Sequence, residues 1–438
     1  MKNLKECDLV EIKTKDDSYK GIVMPGSDDE KIILKLISGY NVGILKKNIV
    51  SLTTVKKFKG SEEKCEIIIE DKKQSKSIEG KKHLPIISIL HTGGTVASRV
   101  DYSTGAVSAR FTPEDIISMF PELKDIAQIR SKLIRNMFSE DMRFSHYNLL
   151  AKEIDKEAKN GANGIIITHG TDTLHYTAAA LAFILEDLSI PVILVGSQRS
   201  SDRGSSDAAL NLICAAQFIA KSDFAEVAIC MHEGSSDESC LILPACKTRK
   251  LHTSSRDAFK VVNGSPIARI DKHGKLEFIH TNYRRKDSGR KLRLKLFKEN
   301  LKIGLIKIHT NMYAKEFESY ESFDGLVIEG TGLGHMPINA IDEFTKEHSK
   351  IFNTVKKLAK KMPVVMTSQT LYGRLQMNVY STGRNLVESG VLGNYSDMIP
   401  EIAFIKLAWL LSNYNKDKVR ELVSENLRGE ISKRTELG

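Results

Sequence analysis

Two short segments of this 438-residue chain place glycine, hydroxyl and carboxylate residues directly after apolar runs. The first segment is HTGGTVAS at residues 91–98, and the second is HGTDTL at residues 169–174. The runs before them, at residues 86–90 and 164–168, are rich in isoleucine, which is typical of buried parallel strands. Because ligands of open α/β sheets bind where such strands end, the pattern predicts acyl chemistry on a small polar substrate.

Each segment contains a threonine that is a candidate for this chemistry. A threonine hydroxyl attacks at neutral pH only when a neighbouring base or acceptor takes its proton. Thr95 follows Gly94, and glycine lets the chain turn sharply and a substrate approach closely. Thr171 precedes Asp172, whose carboxylate can bind a substrate ammonium group through a charge-assisted hydrogen bond. One Thr-Gly element alone is usually a plain turn, but the two segments together favour an active site.

The elements that must position these segments alternate between strand and helix. From residue 85 onward this alternation predicts parallel sheets covered by helices on both faces. The expected strands are 86–91, 164–169, 191–196, 225–231, 303–308, 325–329 and 363–367. The expected helices are 113–120, 146–160, 173–187, 205–221, 399–412 and 416–427, the last capped by Asn415. We divide this part into a large α/β domain at 85–285, a basic connection at 286–300 and a smaller α/β domain at 301–438.

The N-terminal part has a different pattern. Five short alternating segments are separated by turn-forming residues: 9–13, 19–24, 31–36, 40–45 and 49–52. They predict a small all-β, SH3-like barrel over residues 1–55, which serves as a docking module rather than a catalytic domain. Residues 56–84 are dense in lysine and glutamate and predict a charged linker.

The composition, with 41% hydrophobic and 27% charged residues, is that of a soluble globular protein. No stretch approaches the roughly 18 apolar residues of a membrane span, and the N-terminus has no signal region, so we expect a cytoplasmic protein. The six cysteines lack a CxxC pair, which predicts reduced thiols. A net charge of +10 permits a nucleic-acid partner without requiring one. The histidines lack metal-ligand spacing, so we predict no metal site and no cofactor in this chain.

The two threonine segments resemble the paired signatures of the L-asparaginase/glutaminase family. Further motifs agree in order: a Tyr-x-x-Gly loop at Tyr102, SEDM at 139–142, VGSQR at 195–199 and Lys250 ahead of DAF at 257–259. The resemblance runs from about residue 85 to 430 and implies a two-domain, asparaginase-like α/β fold with parallel sheets. Ahead of it stands the small barrel.

This resemblance implies roles for the candidate catalytic residues. Thr95 is expected to be the primary nucleophile, and Tyr102 is expected to activate it. Thr171 and Lys250 are expected to form a second pair that positions or activates water. Lys250 on its own would be interpreted as a solvated surface lysine, and only the match to the motif singles it out.

The resemblance also implies the substrate contacts. Asp172 and Ser139 are expected to hold the amino-acid head of the substrate, with Glu140, Gly94 and Gly170 beside them. Glu140 stands where many relatives carry glutamine, which bears on how the substrate amino group is held. The motifs leave the preference between asparagine and glutamine open.

The N-terminal segments extend the resemblance to nearly the whole chain. Residues 19–25 and 33–44 are similar to the barrel of the D subunits of archaeal glutamyl-tRNA(Gln) amidotransferases. That likeness implies a chain that hydrolyses L-glutamine and passes ammonia to a partner, the amidotransferase E subunit. The partner is expected to bind ATP and Mg²⁺ and to convert Glu-tRNA(Gln) to Gln-tRNA(Gln), and the chain is expected to form a homodimer within a heterotetramer.

Other classes of protein fit the sequence less well. A free cytoplasmic L-asparaginase that releases ammonia from asparagine without a partner remains the alternative. A nucleic-acid-binding protein without catalysis is disfavoured because both motifs keep their hydroxyls. The basic segment 284–295 has the charge to contact tRNA phosphates, but no aromatic residues interleave for base stacking, so a solvated connection is favoured. The chain has neither a G-x-S-x-G elbow nor a phosphate-binding P-loop, which excludes those enzyme classes.

Overall fold

The computed structural model describes most of the chain after residue 118 and several segments before it. The described residues are 5, 8–15, 17–24, 27, 30–36, 41–57, 84–94, 96, 98–100, 107–109, 116, 117, 119–199 and 206–434. Thr95 and Tyr102 lie outside them, as do most of the predicted linker and much of the predicted helix at 113–120. Among these residues, no helix is both long enough and apolar enough to cross a membrane.

The N-terminal segments form one antiparallel sheet of five strands in the order β4-β3-β2-β1-β5. Its strands are β1 (Leu9–Thr14), β2 (Ser18–Val23), β3 (Lys31–Leu36), β4 (Asn41–Leu45) and β5 (Ile49–Lys56). Alternating apolar residues, among them Val10, Ile12 and Leu34, point to one side and form a small core of their own. The predicted small all-β domain is confirmed.

The larger sheet has eight strands in the order β18-β17-β14-β13-β12-β10-β6-β9. Strands in this part are β6 (Ile86–His91), β7 (Ser98–Val100), β8 (Val107–Ala109), β9 (Gln128–Leu133), β10 (Gly164–Thr168), β11 (Leu185–Glu186), β12 (Val192–Val195), β13 (Val227–His232), β14 (Ser239–Pro244), β15 (Thr248–Lys250), β16 (Phe259–Val261), β17 (Ala268–Asp271), β18 (Leu276–Phe278) and β19 (Arg293–Leu294). The five neighbouring strands β13, β12, β10, β6 and β9 are parallel, whereas β14, β17 and β18 are antiparallel. The sheet is therefore mixed, where the sequence predicted parallel strands.

Helices cover both faces of this sheet, as predicted. They are α1 (Phe144–Lys159), α2 (Leu174–Ile184) and α3 (Ala208–Lys221). Ile165 and Ile167 of β10 face the core that holds α1 and α2, and Ile166 faces the core that holds α3. The predicted helix at 173–187 was too long, because residues 185–186 leave the helix and pair with β19.

The C-terminal part contains a three-stranded parallel sheet in the order β20-β21-β22. Its elements are β20 (Ile303–Lys307), α4 (Ala314–Glu318), β21 (Gly325–Gly330), α5 (Glu347–Lys361), β22 (Val364–Ser368), α6 (Ser381–Glu388), α7 (Pro400–Asn413) and α8 (Lys416–Leu422). Asn415 caps α8 as predicted, since its side chain accepts a hydrogen bond from Lys418 N at 2.9 Å. That helix ends at Leu422, five residues before the predicted end.

Candidate active site

Strands β6 and β10 deliver the two threonine segments to the same edge of the large sheet. The strands are parallel neighbours, and Thr168 lies opposite His91 in their register. Just beyond the strand ends, Thr92 donates to the carbonyl oxygen of Thr168 from its backbone nitrogen at 3.1 Å and from its hydroxyl at 3.0 Å. The two loops therefore leave the sheet side by side.

Close backbone contacts explain the glycines of both motifs. Gly94 has φ +82°, and a Cβ placed on it would lie 2.8 Å from the backbone nitrogen of Gly170. A Cβ on Gly170 would in turn lie 2.9 Å from the Cβ of Ser139. Three of the predicted substrate-contact residues thus meet at one point, and two of them have no room for a side chain.

Lys250 reaches the second threonine segment from a separate hairpin formed by β15 and β16. Its Nζ donates to Thr171 Oγ1 and to Asp172 Oδ1, each at 2.8 Å. The Lys250 side chain is 10% exposed, whereas the Asp172 side chain is 68% exposed. The Lys250 side chain is therefore shielded, and the carboxylate of Asp172 is open to solvent, where a ligand can bind it.

Ser139 and Glu140 lie beside the same loop, at the start of a short 3₁₀ turn (Ser139–Asp141). The backbone oxygen of Ser139 accepts a hydrogen bond from Thr173 Oγ1 at 2.5 Å. The buried Ser139 hydroxyl donates to the carboxylate of the exposed Glu140 at 3.2 Å. This arrangement places a hydroxyl and a second carboxylate beside the loop that carries Asp172, which suits recognition of an amino-acid head group.

Two buried histidines support the loops rather than taking part in proton transfer. His91 contacts the hydroxyls of Thr168 at 2.8 Å and Ser131 at 2.9 Å. His169 bonds the carbonyl oxygen of Gly170 at 2.7 Å through Nδ1 and the Thr177 hydroxyl through Nε2. Burial lowers the pKa of each imidazole to about 4, so both rings are neutral near pH 7.

The strand that carries Lys250 is also held from the C-terminal part of the chain. Arg249 forms an ion pair of 2.8 Å with the buried Glu401, near the start of α7. Burial raises the pKa of Glu401, and the charge of Arg249 opposes that rise. Sequence analysis missed this pair, because 152 positions separate its members and neither residue belongs to a recognisable motif.

Three basic residues of the segment 284–295 pair with carboxylates elsewhere in the chain. Arg285 pairs with Asp223 at 2.5 Å, and Arg293 pairs with Asp187 at 2.8 Å. Lys295 lies 3.1 Å from Glu186. Within the described part of the chain, no group of three or more histidine, cysteine or acidic residues is arranged to hold a metal ion.

Comparisons with known proteins identify the class to which this fold and site belong. Residues 86–284 match the family model "Asparaginase, N-terminal", and residues 302–423 match "Glutaminase/Asparaginase C-terminal domain". The thermostable L-asparaginase from Thermococcus kodakarensis superposes with a TM-score of 0.68 at 29% identity, covering 79% of this chain and 99% of that one. L-asparaginase I from Vibrio cholerae gives a TM-score of 0.65 at 26% identity, covering 80% and 99%. Fold and site define an asparaginase-like protein.

Two further findings show which asparaginase-like proteins this chain is related to: a match of the N-terminal sheet, and relatives that match over nearly the whole chain. Residues 4–55 match the "GatD N-terminal domain" model. The D subunit of glutamyl-tRNA(Gln) amidotransferase from Pyrococcus furiosus is 44% identical over 421 residues, covering 94% of this chain and 91% of that protein. The corresponding protein of Archaeoglobus fulgidus is 42% identical over 430 residues, covering 98% and 95%. The chain belongs to the family of glutamyl-tRNA(Gln) amidotransferase D subunits, which confirms the resemblance found in the sequence.

Proposed function

We propose that this chain is the glutaminase component of a tRNA-dependent amidotransferase. It hydrolyses L-glutamine to glutamate and ammonia, and a partner, the amidotransferase E subunit, uses the ammonia and ATP to convert Glu-tRNA(Gln) to Gln-tRNA(Gln). The observation that carries the proposal is the contact of Lys250 Nζ with both Thr171 and Asp172 at 2.8 Å. The relatives' names and the N-terminal domain support the link to tRNA-dependent amidation.

The first half of the proposed reaction transfers the acyl group to the protein. The Thr95 hydroxyl, activated by Tyr102, attacks the carboxamide carbon of glutamine and forms a C–O bond. Backbone N–H groups of the glycine-rich loops stabilise the negative charge on the carboxamide oxygen. The C–N bond then breaks, the nitrogen takes up the proton that the Thr95 hydroxyl lost, and ammonia departs, leaving an ester on Thr95.

The second half releases glutamate. Thr171 accepts a hydrogen bond from Lys250, so its own hydroxyl proton remains free to bond a water molecule. That water attacks the ester carbon and loses a proton, and the C–O bond to Thr95 breaks as the Thr95 oxygen takes up a proton in its place. Asp172, Ser139 and Glu140 hold the amino-acid head throughout, the exposed carboxylate of Asp172 bonding the substrate ammonium group.

Partner docking, oligomerisation and the binding of ATP and Mg²⁺ are proposed to involve regions outside the glutaminase site. The N-terminal β domain docks the partner, and two copies of this chain form a homodimer within a heterotetramer. ATP and Mg²⁺ bind the partner, so this chain holds no cofactor. We place the protein in the cytoplasm, which the free thiols of the four described cysteines, Cys214, Cys230, Cys240 and Cys246, support.

Ammonia release distinguishes this function from that of a free asparaginase. The purified chain is assayed with glutamine and with asparagine, first alone and then with the E subunit, Glu-tRNA(Gln) and ATP. Glutamine hydrolysis that rises steeply only in the full mixture supports the amidotransferase function. Rapid asparagine hydrolysis by the chain alone, unchanged by the additions, would contradict it and favour an L-asparaginase.

A further inference from the structure

A series of hydrogen bonds, here called the relay, runs from the buried Asn211 and His232 to the exposed Asp237 and connects two sides of the site. The relay consists of Asn211, His232, Asp237 and Arg256. Asn211 Nδ2 donates to the carbonyl oxygen of Gly196 at 3.0 Å, and Asn211 Oδ1 lies 2.6 Å from His232 Nδ1. The other ring nitrogen of His232 lies 3.1 Å from Asp237 Oδ1, to which Arg256 Nη1 donates at 2.8 Å.

One end of the relay lies directly beneath Thr171. A Cβ placed on Gly196 would be 2.8 Å from the methyl carbon of Thr171, so this methyl group packs against the Gly196 backbone. The carbonyl oxygen of the same residue accepts the hydrogen bond from Asn211. Any shift of Asn211 therefore moves the surface on which Thr171 rests.

The other end of the relay lies in the loop of the hairpin that carries Lys250. Arg256 belongs to the loop between β15 and β16, which is closed by a hydrogen bond of 2.7 Å from Leu251 N to the carbonyl oxygen of Ala258. Arg256 also donates to the carbonyl oxygen of Ser235 at 3.2 Å. The relay thus links the support of Thr171 to the loop that follows Lys250.

His232 lies in the middle of the relay, between Asn211 on the side of Thr171 and Asp237 on the side of the Lys250 hairpin. Asn211 uses its amide nitrogen for Gly196, and the Cys240 thiol donates to Asn211 Oδ1 at 3.3 Å, so this oxygen is an acceptor. The second neighbour of the ring, the Asp237 carboxylate, also accepts. The two ring nitrogens of His232 therefore face Asn211 Oδ1 on one side and Asp237 Oδ1 on the other. The ring is fully buried, with 1% of the residue exposed.

We infer that His232 is a positioning residue for the hydrolytic step, holding Thr171 and the Lys250 hairpin in the spacing that keeps Lys250 Nζ on Thr171 Oγ1. The inference rests on the proposed function, in which that pair positions the water that attacks the Thr95 ester. Misplacement of a reacting group by about 1 Å costs roughly 100-fold in rate. A smaller displacement of Thr171 relative to Lys250 should therefore slow ester hydrolysis by about tenfold or more.

The consequence is specific to a two-step reaction. Slow ester hydrolysis lowers kcat and KM together and leaves kcat/KM, which reports ester formation, nearly unchanged. It also produces a burst of ammonia equal to the amount of enzyme, because the first step still proceeds. A merely structural defect would instead lower kcat/KM in proportion to the folded fraction and would give no burst.

The test compares His232→Gln with wild type in the full complex, because glutamine has one side-chain nitrogen in place of the two ring nitrogens and cannot bond Asn211 and Asp237 together. His273→Gln, at an exposed turn in the same sheet, is the matched control. Arg256→Gln is the second variant, since it cuts the relay near the surface and leaves the buried ring in place. The readouts are kcat, KM, the ammonia burst and the thermal unfolding midpoint.

We expect His232→Gln to lower kcat about tenfold with kcat/KM changed less than about threefold, and Arg256→Gln to act in the same direction with a smaller effect. An unchanged kcat in either folded variant, or a parallel fall of kcat and kcat/KM without a burst, would overturn the inference. Failure of the proposed function looks different, because the wild-type complex itself would then release no ammonia from glutamine.

Discussion

Arg249 and Glu401 form an ion pair of 2.8 Å that ties the strand carrying Lys250 to helix α7. The next residue, Lys250, bonds Thr171 and Asp172. A side chain from the C-terminal part of the chain thus anchors a strand of the candidate site. The pair is well shielded, with the Glu401 side chain 9% exposed and that of Arg249 25% exposed.

Removal of Glu401 should therefore cost stability as well as activity. Glu401→Ala leaves the guanidinium of Arg249 without its partner in a shielded position, which typically costs about 3 kcal/mol. Glu321→Ala removes a carboxylate from an exposed, solvent-screened pair with Lys357 and should cost much less. Urea unfolding of both variants checks the prediction, and equal losses of unfolding free energy would contradict it.

The paired threonine chemistry predicts large losses of activity without loss of fold. Thr95→Ala, Thr171→Ala and Lys250→Met should each lower glutamine hydrolysis by orders of magnitude, because each removes a group that forms or hydrolyses the acyl-enzyme. Lys350→Met, which removes a lysine 72% exposed on α5, is the control and should retain activity. Near-normal turnover by Thr95→Ala would show that another residue is the nucleophile.

The close approach of the two loops predicts that Gly94 tolerates no side chain. Gly94→Ala should lose activity, since the new methyl group would displace the Gly170 backbone 2.8 Å away. Gly161→Ala is a close control, because Gly161 shares the φ of +82° but has no atom within 4 Å of the added Cβ. Both variants carry the backbone strain of that φ, and only the first carries the clash. Comparable activity in the two variants would contradict the packing argument.

The buried histidines predict a loss of stability in acid. His91 and His169 bind protons only at about pH 4 in the folded chain, against 6.5 as the ordinary imidazole pKa. Between these values the unfolded chain binds more protons, so the free energy of unfolding rises with pH; this stabilisation is complete above 6.5 and is lost as pH falls towards 4. Each pKa unit corresponds to about 1.4 kcal/mol.

Urea unfolding midpoints at several pH values measure this dependence. His91→Gln should show a shallower decrease of unfolding free energy with falling pH than wild type, because one titrating group is gone. Identical slopes in His91→Gln and wild type would exclude burial of this imidazole as the cause.

The separate core of the N-terminal sheet predicts that this domain can be removed. A chain that starts at residue 85 retains both segments that match the asparaginase models and should fold. Its affinity for the E subunit should fall strongly, as measured by titration calorimetry against the full chain. Unchanged affinity would contradict the docking role of the N-terminal domain.

Local patterns in the sequence were sufficient to predict those strands and helix ends whose signals lie within a few residues of each other. The strands before both threonine segments, the five N-terminal strands and the Asn415 cap follow from apolar runs, alternation and capping, which act at short range. Helix α5 also has a local signal in Ile351, Val355 and Leu358, which the sequence analysis overlooked. Strand β9 was missed because its residues are mostly polar at the edge of the sheet.

The sequence by itself determined the class of fold, the family and the two loops that hold the threonines. Only the tertiary structure placed Lys250 on Thr171, 79 positions away, and tied its strand to Glu401 and its loop to His232. A single lysine, glutamate or histidine forms no sequence pattern from which its distant partner could be predicted. Such pairs form because the folded chain brings the β15–β16 hairpin beside the end of β10 and beside α7, and burial then requires each charged or polar group to find a partner.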